Sequence, residues 1–490
     1  MNAGFWTSAA IIFGLLVDFV FRVIAIIVVP RNRRPTSATA WLLAINFIPY
    51  LGLIVFLLIG SYKLPKSRRR KQAQINQFIM DSTEGIERVR RDHPWPIWLE
   101  QVVRLNRNLG AMPLVGGNSA TMITEYGESF QAMIDEIDRA QNFVHVEFYI
   151  LTLDPTTEPF FDALERATRR GVTVRVLLDH IASLRTRGYR AATKRLTAMG
   201  AQWQLMLPIQ LFKGRYQRPD LRNHRKLLVV DGAIGFMGSQ NVIDPGYDKA
   251  RNRRRGLRWK ELVVRLDGPI VAGLNAIFIT DWYVETDELL AREARPVEPV
   301  FQVPPREQID CQLVPSGPGF AGENNLRLFL ALLYYAQERI SITSPYFVPD
   351  ESIMYAIMTA IERGVKVELF VSEVADQWLV YHAQRSYYEQ LLRSGVTIWL
   401  YRAPTILHAK HFTIDDDVAV VGSSNMDIRS FQLNCEISLM VRGRNFVAEL
   451  HEIEESYREH SRQLTLEEWE LQPLRSTIAD NLARLTSALQ

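Results

Sequence analysis

One pattern occurs twice in this chain at identical spacing. The first copy runs His224-Arg225-Lys226, four residues, Asp231, six residues, then Gly238-Ser239-Gln240-Asn241. The second runs His408-Ala409-Lys410, four residues, Asp415, six residues, then Gly422-Ser423-Ser424-Asn425. A lone H-x-K is common by chance. A matched pair demands two similar structural units and supplies two histidines, two lysines and two asparagines. That inventory suits a nucleophile and a general acid acting on a phosphoryl group.

Each copy reads as a β-hairpin. Leu227 to Val230 are strand formers and Asp231-Gly232 is a two-residue turn signal. That turn pairs Val230 with Ala233 and sets His224 opposite Ser239. In the second copy Asp415-Asp416 takes the turn and His408 falls opposite Ser423. His224 and Lys226 are two apart on a strand and share one face. Lys226, Lys410, Asn241 and Asn425 are donors suited to phosphate oxygens, and Ser239 and Ser423 add a hydroxyl or close the turn. Asp231 and Asp415 complete the motif set. Their place at the turn, on the opposite parity from the histidine, gives them a structural reading. His411 faces away from His408, and His93, His145, His180, His382, His451 and His460 have no repeat partner.

From about residue 116 helices and strands alternate. Strands are expected at 143–150, 172–178 and 202–207 before the first hairpin, and at 340–344, 365–371 and 396–401 before the second. Glycines such as Gly171, Gly200, Gly364 and Gly395 stop the helices between them. The fold class is α/β, with two similar units, largely parallel sheets, and a pseudo-two-fold that brings the two H-x-K faces together.

Ahead of these units lie two apolar runs, Phe5 to Val29 and Trp41 to Ile59, each long enough to cross a bilayer core of roughly 30 Å. Asp18 and Arg22 share a helical face in the first run and are expected to pair. Asn46, Pro49 and Gly52 interrupt the second, which allows a kink or a re-entrant segment. Arg31, Arg33 and Arg34 lie between the runs, and Lys63, Lys66, Arg68, Arg69, Arg70 and Lys71 follow the second. The larger cluster favours a cytoplasmic catalytic region, and the loop arginines oppose it unless the first segment is re-entrant or interfacial. The net charge of +3 is small, so anion affinity must be local. Cys311 and Cys435 are the only cysteines and build neither a disulfide framework nor a metal site. No zinc, Walker or Rossmann signature appears, so neither metal nor cofactor is expected.

The paired motifs resemble those of the phospholipase D superfamily. The flanking segments narrow the resemblance to bacterial cardiolipin synthases: Arg222-Asn223 before His224, Arg258-Trp259-Lys260-Glu261, Asp281-Trp282, Ser316-Gly317-Pro318, Ser344 to Asp350, and above all Asn425 to Glu436. The resemblance covers nearly the whole chain. It implies two phospholipase D-like domains, at 116–295 and 296–490, after a membrane anchor of two hydrophobic helices at 1–71 and a linker at 72–115. It implies phosphatidyl transfer between two phosphatidylglycerol molecules, with His224 as nucleophile and His408 as acid and base, and places acidic residues behind the histidines. Glu261 and Glu436, in strand-like runs after each motif, are the candidates. The mechanism needs one imidazole neutral and one protonated, which two coupled histidines near pKa 6.5 would provide.

Basic residues flank the first motif: Lys213, Arg215, Arg218 and Arg222 before it, and Lys249 through Lys260 after it. Beside a membrane segment they point to anionic phospholipids in the cell membrane and not to nucleic acid. Hydrolysis to phosphatidic acid, transfer to another acceptor, a membrane-anchored nuclease and a non-enzymatic scaffold are the competing readings. The C-terminal stretch from Phe446 reads as an amphipathic helix, with Trp469 at a membrane interface. Nothing in the sequence specifies the oligomeric state.

Overall fold

The computed structural model describes residues 3–31, 33, 35–60, 64–83, 97–210, 217–247, 249–290, 293, 308–320 and 322–486. Arg34, Lys63, His93, Lys213, Arg215 and the expected boundary at 295/296 lie outside them. The chain divides into two compact units, Met1–Leu64 with Arg218–Asp220, and Pro65–Gln217 with Leu221–Gln490.

In the N-terminal unit, the helix Ala3–Val28 has 26 residues, or about 39 Å at 1.5 Å per residue, and exceeds a bilayer core. Its apolar side chains from Ile11 onward are mostly exposed, and among the described residues it is the one helix long and apolar enough to cross a membrane. Arg22 donates to Asp18 at 2.7 Å, as expected, and also to Asn46 at 3.1 Å.

The second apolar run differs from expectation. It forms two shorter helices, Pro35–Phe47 and Pro49–Ile59, of 13 and 11 residues. At about 20 and 17 Å neither crosses a bilayer core alone. They fold back on each other. Trp41 and Phe56 meet ring to ring at 5.4 Å, and Arg33 donates to the Gly60 carbonyl and lies over the Phe56 ring. Pro49 starts the second helix, where its missing N–H costs nothing, and Gly52 lets the backbone at Ala44 come close.

The larger unit is built on a sixteen-stranded sheet. Its first half runs, from the edge, 202–206, 173–179, 143–148, 226–230, 234–238, 263–267 and 114–123. Its second half runs 397–401, 366–372, 339–343, 411–414, 418–422, 434–442 and 309–316, the same order, with Ser461–Leu464 added beyond 397–401 as the outer edge and Arg222–Asn223 pairing off this path. The halves join where Leu114–Ile123 pairs antiparallel with Ile309–Ser316, and an antiparallel pair is what a local two-fold requires.

The sheet is mixed, not largely parallel. Three strands in each half run parallel through crossover helices. The rest are antiparallel because hairpins and short returns connect them. Helices cover both faces. Phe160, Phe161 and Leu164 bury one face of the first half, and Leu328, Phe329 and Ile357 that of the second. On the other side Leu274, Phe278 and Trp282 join Phe446, Leu450 and Tyr457 in one core.

Helix Arg68 donates to Glu285 at 2.6 and 2.7 Å from the helix Lys66–Ser82. The helix Ile97–Gly110, within the stretch expected to be a linker, buries Leu99, Val102 and Val103. Trp469 is not interfacial. It is buried, with its ring 5.4 Å from that of Tyr388.

Both hairpins form, one residue out of the expected register. Val230 faces Ile234 and Ile414 faces Val418, so the loops have three residues, not two. The aspartates explain this. Asp231 and Asp415 adopt left-handed backbone conformations, and each carboxylate turns back onto the loop before the neighbouring strand. Asp231 accepts the backbone N–H groups of Gln141, Asn142 and Phe143 at 2.7–2.8 Å. Asp415 accepts those of Gln337, Glu338 and Arg339 at 2.7–3.2 Å. Both carboxylates clamp the fold at these positions. Asp231→Ala should therefore destabilise the fold by about 1.5–3 kcal/mol, the scale of hydrogen bonds to a charged acceptor. Chemical unfolding in detergent will measure the loss, and turnover per folded molecule should stay close to that of the parent.

Candidate active site

The motif histidines do not lie in their own hairpin ladders. The short strand Arg222–Asn223 leads into His224 and pairs in parallel with Asn434 and Cys435 of the second repeat. The strand Thr405–Leu407 leads into His408 and pairs in parallel with Arg258–Lys260 of the first. The ladders extend one bond further, from His224 N–H to the Cys435 carbonyl at 2.8 Å and from His408 N–H to the Lys260 carbonyl at 2.7 Å. Each histidine thus enters the site beside a strand of the opposite repeat.

Those strands end in glutamates. His224 Nδ1 lies 3.0 Å from Glu436, and His408 Nδ1 lies 2.8 Å from both oxygens of Glu261. The candidate orienting residues are therefore both in place, each behind the other repeat's histidine. Both carboxylates are buried. A carboxylate at Nδ1 fixes the proton there and leaves Nε2 with its lone pair.

The serines serve the glutamates. Ser239 Oγ donates to Glu261 at 2.5 Å and accepts the Leu262 N–H at 2.9 Å. Ser423 Oγ donates to Glu436 at 2.6 Å and accepts the Ile437 N–H at 3.0 Å. Their hydroxyl protons are spent, which replaces the phosphate-binding role expected of them. The glycine before each serine is required by close approach: a Cβ on Gly238 or Gly422 would collide with the carbonyl of Leu262 or Ile437.

Lys226 and Lys410 are buried, and each ammonium donates to the carbonyl of its own motif histidine at 2.5 Å. Asn241 is held by the Ile150 N–H, which its carbonyl accepts at 3.1 Å, and by Tyr247, to which it donates at 2.8 Å. Asn425 donates to Asp427 at 3.1 Å. Each amide keeps a second N–H for a ligand.

Burial dominates the electrostatics. It pulls His224 down to about 4, although Glu436 opposes it. It lowers His408 as well, against Glu261. Both imidazoles are thus held neutral, where near-ordinary values are expected to divide them. Burial also lowers Lys226 to about 7 and Lys410 to about 8. Burial would raise Glu261 and Glu436, but their imidazole partners, the lysines and the serine hydroxyls hold both below the usual range. Lys410 acts on His224 and Lys226 on His408, so the two motifs share one electrostatic site.

The sequence lets Tyr149 and Tyr346, at equivalent strand ends, line the pocket or pack in the core, and it gives Tyr247 and Asp179 no role. Tyr149 sets its ring edge-on to His224 at 4.8 Å, and Tyr247 stands likewise to His408 at 6.1 Å. Tyr346, the equivalent of Tyr149, turns instead to Asp376 at 2.9 Å. Arg225 donates to the Glu436 carbonyl at 3.1 Å and pairs with Asp281. The repeat itself carried that signal, since Ala409 stands at the matching position. Asp179 accepts from Asn223 N–H and Arg222 and holds the strand before His224.

A family model described as cardiolipin synthase, phospholipase D-like domain, matches residues 133–282 and 329–457. A second, described as phospholipase D-nuclease N-terminal, matches residues 20–61. The chain is 31% identical to cardiolipin synthase A of Proteus mirabilis over 99% of its length and 98% of that protein. It is 30% identical to the cardiolipin synthase of Geobacillus kaustophilus over 100% of its length and 96% of that protein. The crystal structure of phosphatidylserine synthase from Haemophilus influenzae superposes with a TM-score of 0.60 at 16% identity, covering 79% of this chain and 99% of that one, and shares the fold.

The crossed pairing is testable. Glu436→Gln should lower kcat by about 10²–10⁴-fold, the scale for losing the group that orients a catalytic histidine. Ser423→Ala serves the same carboxylate, so its loss should be largely absorbed in the double variant with Glu436→Gln. Ser239→Ala serves the other one, and its loss should multiply with that of Glu436→Gln. Steady-state kinetics of the two double variants distinguish these outcomes.

Proposed function

We infer the reaction from one premise: this chain belongs to the cardiolipin synthase family of phospholipase D-like proteins. It is a phosphatidyltransferase that makes cardiolipin. Two phosphatidylglycerol molecules are the substrates and glycerol is the second product. The observation that carries the mechanism is the crossed pair of buried imidazoles, each with Nδ1 on a carboxylate and a buried lysine beside it.

In the first step the His224 Nε2 lone pair attacks phosphorus. The bond from phosphorus to the departing glycerol oxygen breaks, and that oxygen takes the proton from His408. In the second step the headgroup hydroxyl of another phosphatidylglycerol gives its proton to His408. Its oxygen attacks phosphorus, and the phosphorus–nitrogen bond breaks to release His224. His408 must be protonated for the first step, and the substrate provides for this. Two ionised carboxylates face two buried lysines and two neutral imidazoles in the site. The negative phosphodiester then raises the proton affinity of the imidazoles. The family resemblance assigns His224 the nucleophile's role, and burial keeps its imidazole neutral. Lys226, Lys410, Asn241 and Asn425 stabilise charge developing on the phosphoryl oxygens.

The apolar helix Ala3–Val28 anchors the chain in a membrane, which we assign as the cell membrane. One span followed by a re-entrant hairpin returns the chain to the side it left. Arg31 and Arg33 then share a side with the basic residues from Lys66 onward, and the charge rule makes that side cytoplasmic.

The decisive assay gives detergent-solubilised protein phosphatidylglycerol alone. Cardiolipin and free glycerol in equal amounts are expected, and His224→Ala and His408→Ala should each abolish both. Phosphatidic acid as the sole product would make the chain a hydrolase. Anion binding should also depend on pH. The lysines lose their protons as pH rises through about 7 and 8, so competitive inhibition by sulfate should weaken between pH 6.5 and 9. Sulfate keeps its charge across that range, so the change reports the protein.

A further inference from the structure

Around Tyr149 and Tyr247, the tyrosines edge-on to the histidines, the surface combines exposed basic and apolar side chains. Tyr247, edge-on to His408, stacks on Trp259 at 4.5 Å. Trp259 sits between the helix Ala250–Arg254 and the crossed strand Thr405–Leu407. Lys249, Arg251, Arg254 and Arg258 on this stretch are all exposed. Arg255 donates to the Ala375 carbonyl at 3.1 Å, and Lys249 lies 3.8 Å from Asp376, so the basic stretch abuts the segment leading into the helix Trp378–Arg385. Trp378 opens that helix with 61% of its surface exposed, beside an exposed Leu379. Across the site, the helix His180–Leu184 packs Ala182 against Ile150 and Ile243 beside Tyr149, and ends in exposed Leu184 and Arg185.

A large aromatic side chain left in solvent on a folded domain costs free energy, and here it follows a segment that the basic stretch contacts through Arg255 and Lys249. An exposed tryptophan next to a basic stretch is the composition of a surface that seats in the headgroup layer of an anionic bilayer. The indole occupies the interface, and the guanidinium groups meet lipid phosphates. A nucleic acid would match the charge but gives Leu184 and Leu379 nothing to bury against. Headgroup phosphodiesters also lie in one plane, as a face on both sides of the site would require.

We propose that this face, formed by the basic stretch at 249–258, the Trp378–Leu379 corner and the Leu184–Arg185 corner, docks the catalytic unit on an anionic phospholipid surface. It thereby delivers headgroups to the paired histidines. The proposal rests on the reading of bilayer phospholipid as substrate, and it adds a second membrane contact to the N-terminal helix.

The test uses the full chain in lipid nanodiscs. Trp378→Cys is labelled with an environment-sensitive fluorophore. Its emission should shift to the blue in discs containing phosphatidylglycerol. It should not shift in discs of phosphatidylcholine alone, nor in the anionic discs once Arg251→Glu and Arg254→Glu are added. The same two charge reversals should raise the phosphatidylglycerol mole fraction giving half-maximal turnover by at least about fivefold, the scale of one lost cation–surface contact. Turnover of dispersed short-chain phosphatidylglycerol should stay unchanged. An emission identical in both kinds of disc overturns the proposal, and so does an equal loss of activity on dispersed and bilayer substrate. The emission shift needs no turnover. A lipid-dependent shift without cardiolipin formation would sustain the docking face and overturn the reaction instead.

Discussion

Each half of this protein holds the carboxylate that the other half's histidine requires. The pairs His224–Glu436 and His408–Glu261 are buried, so neither imidazole can exchange its partner for water. Much of the local sequence serves this exchange. The glycines of both motifs admit a neighbouring backbone, the serines hold the carboxylates, and the short strands before each histidine borrow their ladder bonds from the opposite repeat. The continuous sheet keeps the two crossings in register, because its central antiparallel pair joins the halves and the two short parallel pairs add to it.

Burial sets the chemistry as much as the residue types do. In water two lysines and two histidines would keep ordinary proton affinities. Enclosed together, all four are pulled downward, while the two glutamates remain ionised. A bound phosphodiester would add negative charge beside these groups and favour a protonated imidazole, the coupling on which the proposed mechanism relies.

The repeat made the two units, their strands and the motif residues legible from sequence, because spacing and period are local properties. The crossed pairing was not legible: His224 and Glu436 stand 212 residues apart and meet only through the sheet. The hairpin register shifted by one residue because Asp231 and Asp415 use their side chains on a neighbouring loop, which turn propensity does not encode. The second apolar run was long enough to be read as a span. It folds back instead, through contacts such as Trp41 on Phe56. Ser239 and Ser423 fitted phosphate by chemistry, but their hydroxyls are committed to carboxylates that only the fold brings near.

The crossing has a consequence for inheritance. In most duplicated proteins one copy can drift while the other preserves activity. Here a change at Glu261 disarms the histidine of the later copy, and a change at Glu436 disarms that of the earlier one. Selection therefore sees the two copies as one indivisible gene product. A chimera that exchanges a half between relatives will work only where both donors share the same crossing geometry.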